Sequence, residues 1–77
     1  MLSIKSPLPG TFYQTPGPGE KPFKKKGDKV SEGDIIGLVE VMKTFIEVKS
    51  EITGTFENYE IDNEDPVQAG QLIANIV

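Results

Sequence analysis

The amino-acid sequence predicts an all-β fold, a small flattened barrel or sandwich made of two related halves. Three observations carry that expectation. Of the 28 apolar residues among 77, fourteen are Val or Ile, side chains that suit a pleated, half-buried surface better than a helix. Eight Gly and six Pro are spread along the chain and leave few gaps that could hold a long helix. The chain also repeats itself: Gly10-Thr11-Phe12 recurs as Gly54-Thr55-Phe56, and Asp28, Val30, Gly33 and Ile36 recur as Asp65, Val67, Gly70 and Ile73. The offsets are 44 and 37 positions, so the first half carries seven extra residues between Tyr13 and Gly27. Neither half is long enough to bury a sheet face alone, and residues 1–77 form one domain.

Met1 to Lys5 reads as a first short strand, followed by a turn over Ser6-Pro7-Leu8-Pro9-Gly10 stiffened by two prolines. Gly10-Thr11-Phe12-Tyr13 is extended again. The stretch Thr15-Pro16-Gly17-Pro18-Gly19-Glu20-Lys21-Pro22 falls inside the extra residues of the first half. Its three prolines exclude helix and central strand and make it a semi-rigid protruding loop. Lys24-Lys25-Lys26 reads as a solvated face, too short for a basic tract that recognises lipid or nucleic acid. Gly27 to Asp34 is a double turn around a buried Val30, leading into strand Ile35–Val39. Ser50 to Thr53 leads into strand at Gly54-Thr55-Phe56, with further strand at Tyr59 and Ile61. Asn63-Glu64-Asp65-Pro66 reads as a turn, and after Val67 to Gly70 the chain closes on a strand from Leu72 to Val77.

One stretch departs from ordinary turn chemistry. Leu38 to Val48 is two extended arms around Met42-Lys43, with no Gly, Pro, Asn or Asp where the hairpin must reverse. The repeat places this hairpin at the seam between the halves, because the second half ends at Val77, the counterpart of Glu40. A pseudo-two-fold axis then puts Lys43 at one pole and both chain ends at the other. A lysine at a turn is in most proteins simply a solvated charge. The missing turn residues, the seam position and the exposed thioether of Met42 argue instead for a presented amine. Nothing in the sequence would remove a proton from that amine to make it nucleophilic, so its acylation requires another protein.

Composition narrows the function further. With no Cys there is neither a disulfide nor a thiolate metal site, and with no His the usual general base and commonest metal ligand are absent. No metal site and no autonomous catalysis are expected. Residues 1–38 carry six Lys against four acids, and residues 39–77 two Lys against eight acids. An acidic second half in a chain without Arg argues against a nucleic-acid partner. Without a signal peptide or a long apolar run, no membrane partner and a cytoplasmic location are expected.

Taken together, Ser6-Pro7, Gly10-Thr11-Phe12-Tyr13, Gly27-Asp28-Lys29-Val30, Gly33-Asp34, Glu40-Val41-Met42-Lys43, Pro66-Val67 and Gly70-Gln71 resemble the biotinyl domain of biotin carboxyl carrier proteins over residues 6–77. The resemblance implies the hammerhead fold, two four-stranded antiparallel sheets in a quasi-two-fold flattened barrel. It implies biotin as the cofactor, attached by an amide to Lys43, with Glu40, Val41, Met42 and Thr44 as the hairpin that a biotin protein ligase reads. Thr15, Pro16, Gly17, Pro18, Gly19, Glu20, Lys21 and Pro22 resemble the thumb loop of acetyl-CoA carboxylase carriers, which lies over the biotin. The implied role is a non-catalytic swinging arm between a biotin carboxylase and a carboxyltransferase, as in fatty acid biosynthesis, on a monomeric domain. The family usually reads Ala-Met-Lys-Met, where this chain has Val41 and Thr44. Carriers of this type also have a longer segment before the domain, so the sequence fits an excised domain or a small stand-alone carrier. Two other readings stay open: a lipoyl carrier domain, which shares the hammerhead but favours Asp before the lysine and lacks the inserted loop, and an unmodified β-barrel interaction module.

Overall fold

The computed structural model describes residues 2–77 and contains eight strands and no helix among them. They are β1 (Leu2–Lys5), β2 (Gly10–Tyr13), β3 (Lys29–Val30), β4 (Ile35–Val41), β5 (Thr44–Lys49), β6 (Gly54–Tyr59), β7 (Asp65–Val67) and β8 (Leu72–Ile76). They form two four-stranded antiparallel sheets, β1-β8-β6-β3 and β5-β4-β2-β7. Each sheet therefore takes two strands from each half of the repeat. Neither half closes a sheet without strands from the other.

The pseudo-two-fold is written in the hydrogen bonds. Buried Ser6 donates through Oγ to the Leu8 carbonyl at 2.7 Å, and buried Ser50 does the same to Ile52 at 2.7 Å. The Gly70 amide donates to the Ser6 carbonyl at 2.8 Å and the Gly33 amide to Ser50 at 2.7 Å. In the paired turns the Ser31 amide donates to Asp34 Oδ2 at 2.9 Å, and the Gln68 amide to Gln71 Oε1 at 2.8 Å. The repeat thus extends backward from Gly10 and Gly54 to Lys5-Ser6 and Lys49-Ser50. In both halves the serine satisfies a polar crossover turn that would otherwise bury bare carbonyls.

The core lies between the sheets and contains Ile4, Phe12, Val30, Ile36, Val39, Val48, Phe56, Ile61, Val67, Ile73, Ala74 and Ile76. Tyr59 on β6 links the sheets: its ring lies 5.9 Å from Phe12 and 4.7 Å from Phe56. Its hydroxyl donates to the Ile36 carbonyl at 2.7 Å and accepts from the Lys24 amide at 3.3 Å. Burial is the main reason its phenol is pushed up to about 12. Because the folded value lies above the unfolded one, this contribution to stability is complete below pH 10 and is lost as pH rises from about 10 towards 12. Tyr59→Phe is expected to flatten the fall in melting temperature over that window, at the cost of about 1 kcal/mol at neutral pH for the lost hydrogen bond. An unchanged alkaline slope would contradict the assignment.

Four sequence expectations need correction. Asp65 and Pro66 belong to strand β7, not to a turn; β7 is an edge, where a proline's missing N–H costs no ladder bond. Ile61 is buried in the core from a bend after β6, not from a strand. Lys24 is not part of a solvated face: its Nζ donates to the Lys29 carbonyl at 2.9 Å and pairs with Asp34 Oδ2 at 3.2 Å, clasping the segment that follows the long loop. That ion pair, after the Ser31 backbone bond, holds the Asp34 carboxyl below its ordinary value. The closing strand ends at Ile76, and Met1 lies outside the described residues.

Candidate functional site

β4 and β5 pair in register up to Val41 and Thr44, leaving Met42 and Lys43 as the two central residues of the turn. Both take positive φ, 50° at Met42 and 67° at Lys43, as a two-residue hairpin matched to strand twist requires. Neither is a residue that adopts this conformation readily, and the pair stores about 2–4 kcal/mol of local strain. Met42 is 93% exposed, Lys43 is exposed, and the Lys43 amine forms no hydrogen bond or ion pair among the described residues. The turn holds a lysine and a thioether out in water against their conformational preference.

The topology puts this amine far from the chain ends. β5 runs away from the hairpin for six residues, about 20 Å at strand rise, before the turn at 50–53 delivers Gly54. A Cβ on Gly54 would lie 2.7 Å from the Val77 carbonyl, and Leu2 pairs with Ile76. Leu2 and Val77 therefore sit at the pole remote from Lys43. At the near pole Gly10 packs against the Glu40 carbonyl, Val39 and Val41, the counterpart contact in the other half.

Around the hairpin the implicated residues divide. Met42 and Thr44 face solvent, whereas Val41 is half-buried against the core. Glu40 is held from behind: the Tyr13 hydroxyl donates to its Oε1 at 2.9 Å, and the Tyr13 ring lies 5.8 Å from Phe45. The bond to Glu40, with partial burial and the charges of Glu40 and Glu64, raises the Tyr13 phenol above its ordinary value. Beside this wall runs a groove of about 440 Å³ lined by Tyr13, Leu38, Phe45, Asn63, Glu64 and loop residues Thr15 to Pro18. The remaining loop residues Gly19, Glu20, Lys21 and Pro22 do not line it. The loop is closed at its base by the Phe23 amide donating to the Gln14 carbonyl at 2.9 Å, and Gln14 is tied to Asn63 Oδ1 at 2.7 Å.

Tyr13, Leu38, Phe45, Asn63 and Glu64 escaped sequence reasoning, though the repeat held a signal for some of them. Tyr13 corresponds to Glu57 and Leu38 to Asn75, so one half is apolar where the other is polar. A duplicated scaffold that breaks its symmetry in this way marks the face with a task. Among the described residues no group of His, Cys, Asp and Glu is placed to hold a metal, and no helix is long and apolar enough to cross a membrane.

The residues fit biotin. An accessible, unpaired amine suits amide formation, and an apolar groove begins at Phe45, two residues or about 7 Å along the strand from Lys43. Comparison with known proteins agrees. A family model described as biotin-requiring enzyme matches residues 2–76. The chain is 47% identical over 64 residues to a biotin carboxyl carrier protein of acetyl-CoA carboxylase from Arabidopsis thaliana, covering 83% of this chain and 25% of that protein. It is 47% identical over 74 residues to the carrier protein of acetyl-CoA carboxylase from Chlamydia trachomatis, covering 96% of this chain and 45% of that protein. The crystal structure of Kluyveromyces lactis urea carboxylase superposes with a TM-score of 0.79 at 33% identity, over 99% of this chain and 6% of that one. The chain thus spans between a quarter and under half the length of these curated relatives. Fold, hairpin and sequence converge: this chain belongs to the biotin-requiring enzyme family.

Proposed function

We propose that this domain carries biotin as an amide on Lys43 Nζ and presents it in turn to a biotin carboxylase and a carboxyltransferase, in a carboxylase of the acetyl-CoA type. The observation that supports this most is the strained, fully presented lysine at the pole opposite Leu2 and Val77. A domain tethered at its termini can swing such a group between two sites, and tethering raises its effective concentration at each. Bound biotin supplies the ring nitrogen that takes up and gives back a carboxyl group; the protein contributes position. Acylation by a biotin protein ligase forms one N–C bond at Nζ, releases the activating group with the electrons of the broken acyl bond, and costs the ammonium two protons. The hairpin loses one positive charge and keeps its shape, because the amine makes no contact that the fold needs. Met42 and Thr44 are the side chains this turn offers a ligase, while Glu40 is fixed by Tyr13.

The loop-walled groove supports biotin over a lipoyl group. The loop over Thr15 to Pro18 gives it a wall, and this loop has no counterpart in the other half of the molecule. The test is intact mass after co-expression with a biotin protein ligase and, separately, with a lipoyl ligase. Addition of one biotinyl group by the first supports the proposal. Modification by the lipoyl ligase alone, or by neither, overturns it in favour of a lipoyl carrier or an unmodified interaction module.

A further inference from the structure

The groove beside the hairpin contains one side chain that carries charge at neutral pH, and that side chain sits on strained backbone. Glu64 has φ 68°. Its counterpart in the first half is Gly27, at φ 93°. The two positions do the same structural work: the Glu64 amide donates to the Phe12 carbonyl at 2.7 Å, and the Gly27 amide to the Phe56 carbonyl at 2.9 Å. Glycine meets that requirement without strain, so the scaffold has no need of a side chain here. The end of the barrel that has the groove carries a carboxylate at this position, and the pseudo-symmetric end, beside Phe56, carries none. The carboxylate of Glu64 has no hydrogen bond or ion pair among the described residues. Its polar neighbour in the groove, Asn63, already spends its carbonyl oxygen on the Gln14 amide. Glu64 is therefore the one charged acceptor in the groove, and its charge reaches the Tyr13 phenol, which also lines it.

Building on the reading of Lys43 as the biotin-bearing residue, we propose that Glu64 is the specificity residue of this groove. Its carboxylate accepts a hydrogen bond from a ring N–H of the biotin arm, so that the groove holds an uncharged, donor-bearing head and turns away an anionic one. The apolar walls from Tyr13, Leu38, Phe45, Pro16 and Pro18 supply contact area for any ring; the single negative group selects among rings. A dithiolane head without N–H donors gains nothing from it. A head carrying a negative charge is repelled by it, since the lining residues include no cation.

Amide NMR of the domain before and after biotinylation tests this. In the wild-type chain, biotinylation is expected to shift the amides of Gly17, Phe45 and Glu64 and to leave those of Thr55 and Val77, at the far pole, unmoved. In Glu64→Gly, which relieves the strain and removes the acceptor, the docked-to-free ratio read from those shifts falls about tenfold, the effect of one charge-assisted hydrogen bond. Its melting temperature stays at or above that of wild type. Glu64→Gln, which keeps the size and loses the charge, falls between the two. A chain prepared by chemical synthesis with biotin carboxymethylated on a ring nitrogen, a stable anion, shows little shift in wild type and regains it in Glu64→Gln. Equal biotin-induced shifts in all three chains would overturn the inference, as would equal shifts for the neutral and anionic arms. Intact mass separates this from the failure of the carrier reading: a chain that accepts no biotin refutes both, and one that accepts it but ignores residue 64 refutes the role of Glu64 alone.

Discussion

Lys43→Arg takes up no biotin from a biotin protein ligase supplied with ATP and biotin, and its melting temperature stays within about 2 °C of wild type. Both halves of that result follow from the hairpin. The guanidinium keeps the charge and can occupy the same exposed turn position, but it offers no amine that an activated acyl group can take. Stability is untouched because Lys43 makes no ion pair or hydrogen bond whose loss could be felt. The same geometry predicts a second outcome in the opposite direction. Replacing Met42-Lys43 by Asn-Gly gives the turn residues that accept positive φ at both central positions, and should raise stability by about 1–2 kcal/mol while abolishing modification. Intact mass and thermal melting read the two effects together. Biotin on the Lys43→Arg chain would assign the attachment to another lysine. A fall in melting temperature would make Lys43 a structural residue.

The presented turn position of Lys43 was legible because it violates a local rule: a tight hairpin lacks the residues hairpins use, and that absence is visible within four positions of sequence. The two-sheet architecture was legible through the repeat, since Gly10, Asp28, Val30 and Gly33 recur with constant offsets. Ser6 and Ser50 lie on the same offset but were hidden by their surroundings. The prolines around Ser6 and the acidic Glu51 beside Ser50 make the two turns look unrelated, although their hydroxyls do one job. Pro66 misled in the other sense, because whether proline breaks a strand depends on whether that strand is an edge, a property of sheet order and not of the segment. The groove was the least legible feature. Its walls come from four separate segments, around residues 13–18, 38, 45 and 63–64, and no local pattern links them. Only comparison of the two halves, apolar against polar and glutamate against glycine, carries the information.

Gly37→Ala and Phe12→Ala should each destabilise the domain strongly, by opposite errors of packing. Phe12 is fully buried on β2, and its removal leaves a cavity between the sheets that costs about 3–5 kcal/mol. A chain of 77 residues has a total stability of about 4–12 kcal/mol, so this change takes a large part of it. Gly37 on β4 is the reason the ring fits: a Cβ there would lie 2.5 Å from Phe12 Cε1, 2.6 Å from Cζ and 2.8 Å from the Tyr13 carbonyl oxygen. A methyl group must push the ring or the strand aside, at about 1–3 kcal/mol. The corresponding pair in the second half is Phe56 and Ala74, both buried, so a phenyl ring and a methyl coexist there, and it is the placement of the Phe12 ring against β4 that leaves no room for one at position 37. Shortening the ring should then make room. In a double-mutant cycle measured by urea unfolding, Gly37→Ala combined with Phe12→Leu is expected to lose about 1 kcal/mol less than the sum of the two single changes. Additive losses would mean that the approach of the Tyr13 carbonyl, and not the ring, keeps position 37 a glycine. In that case Gly37→Ala should disturb the Tyr13 bond to Glu40, and with it the groove, before it disturbs the core.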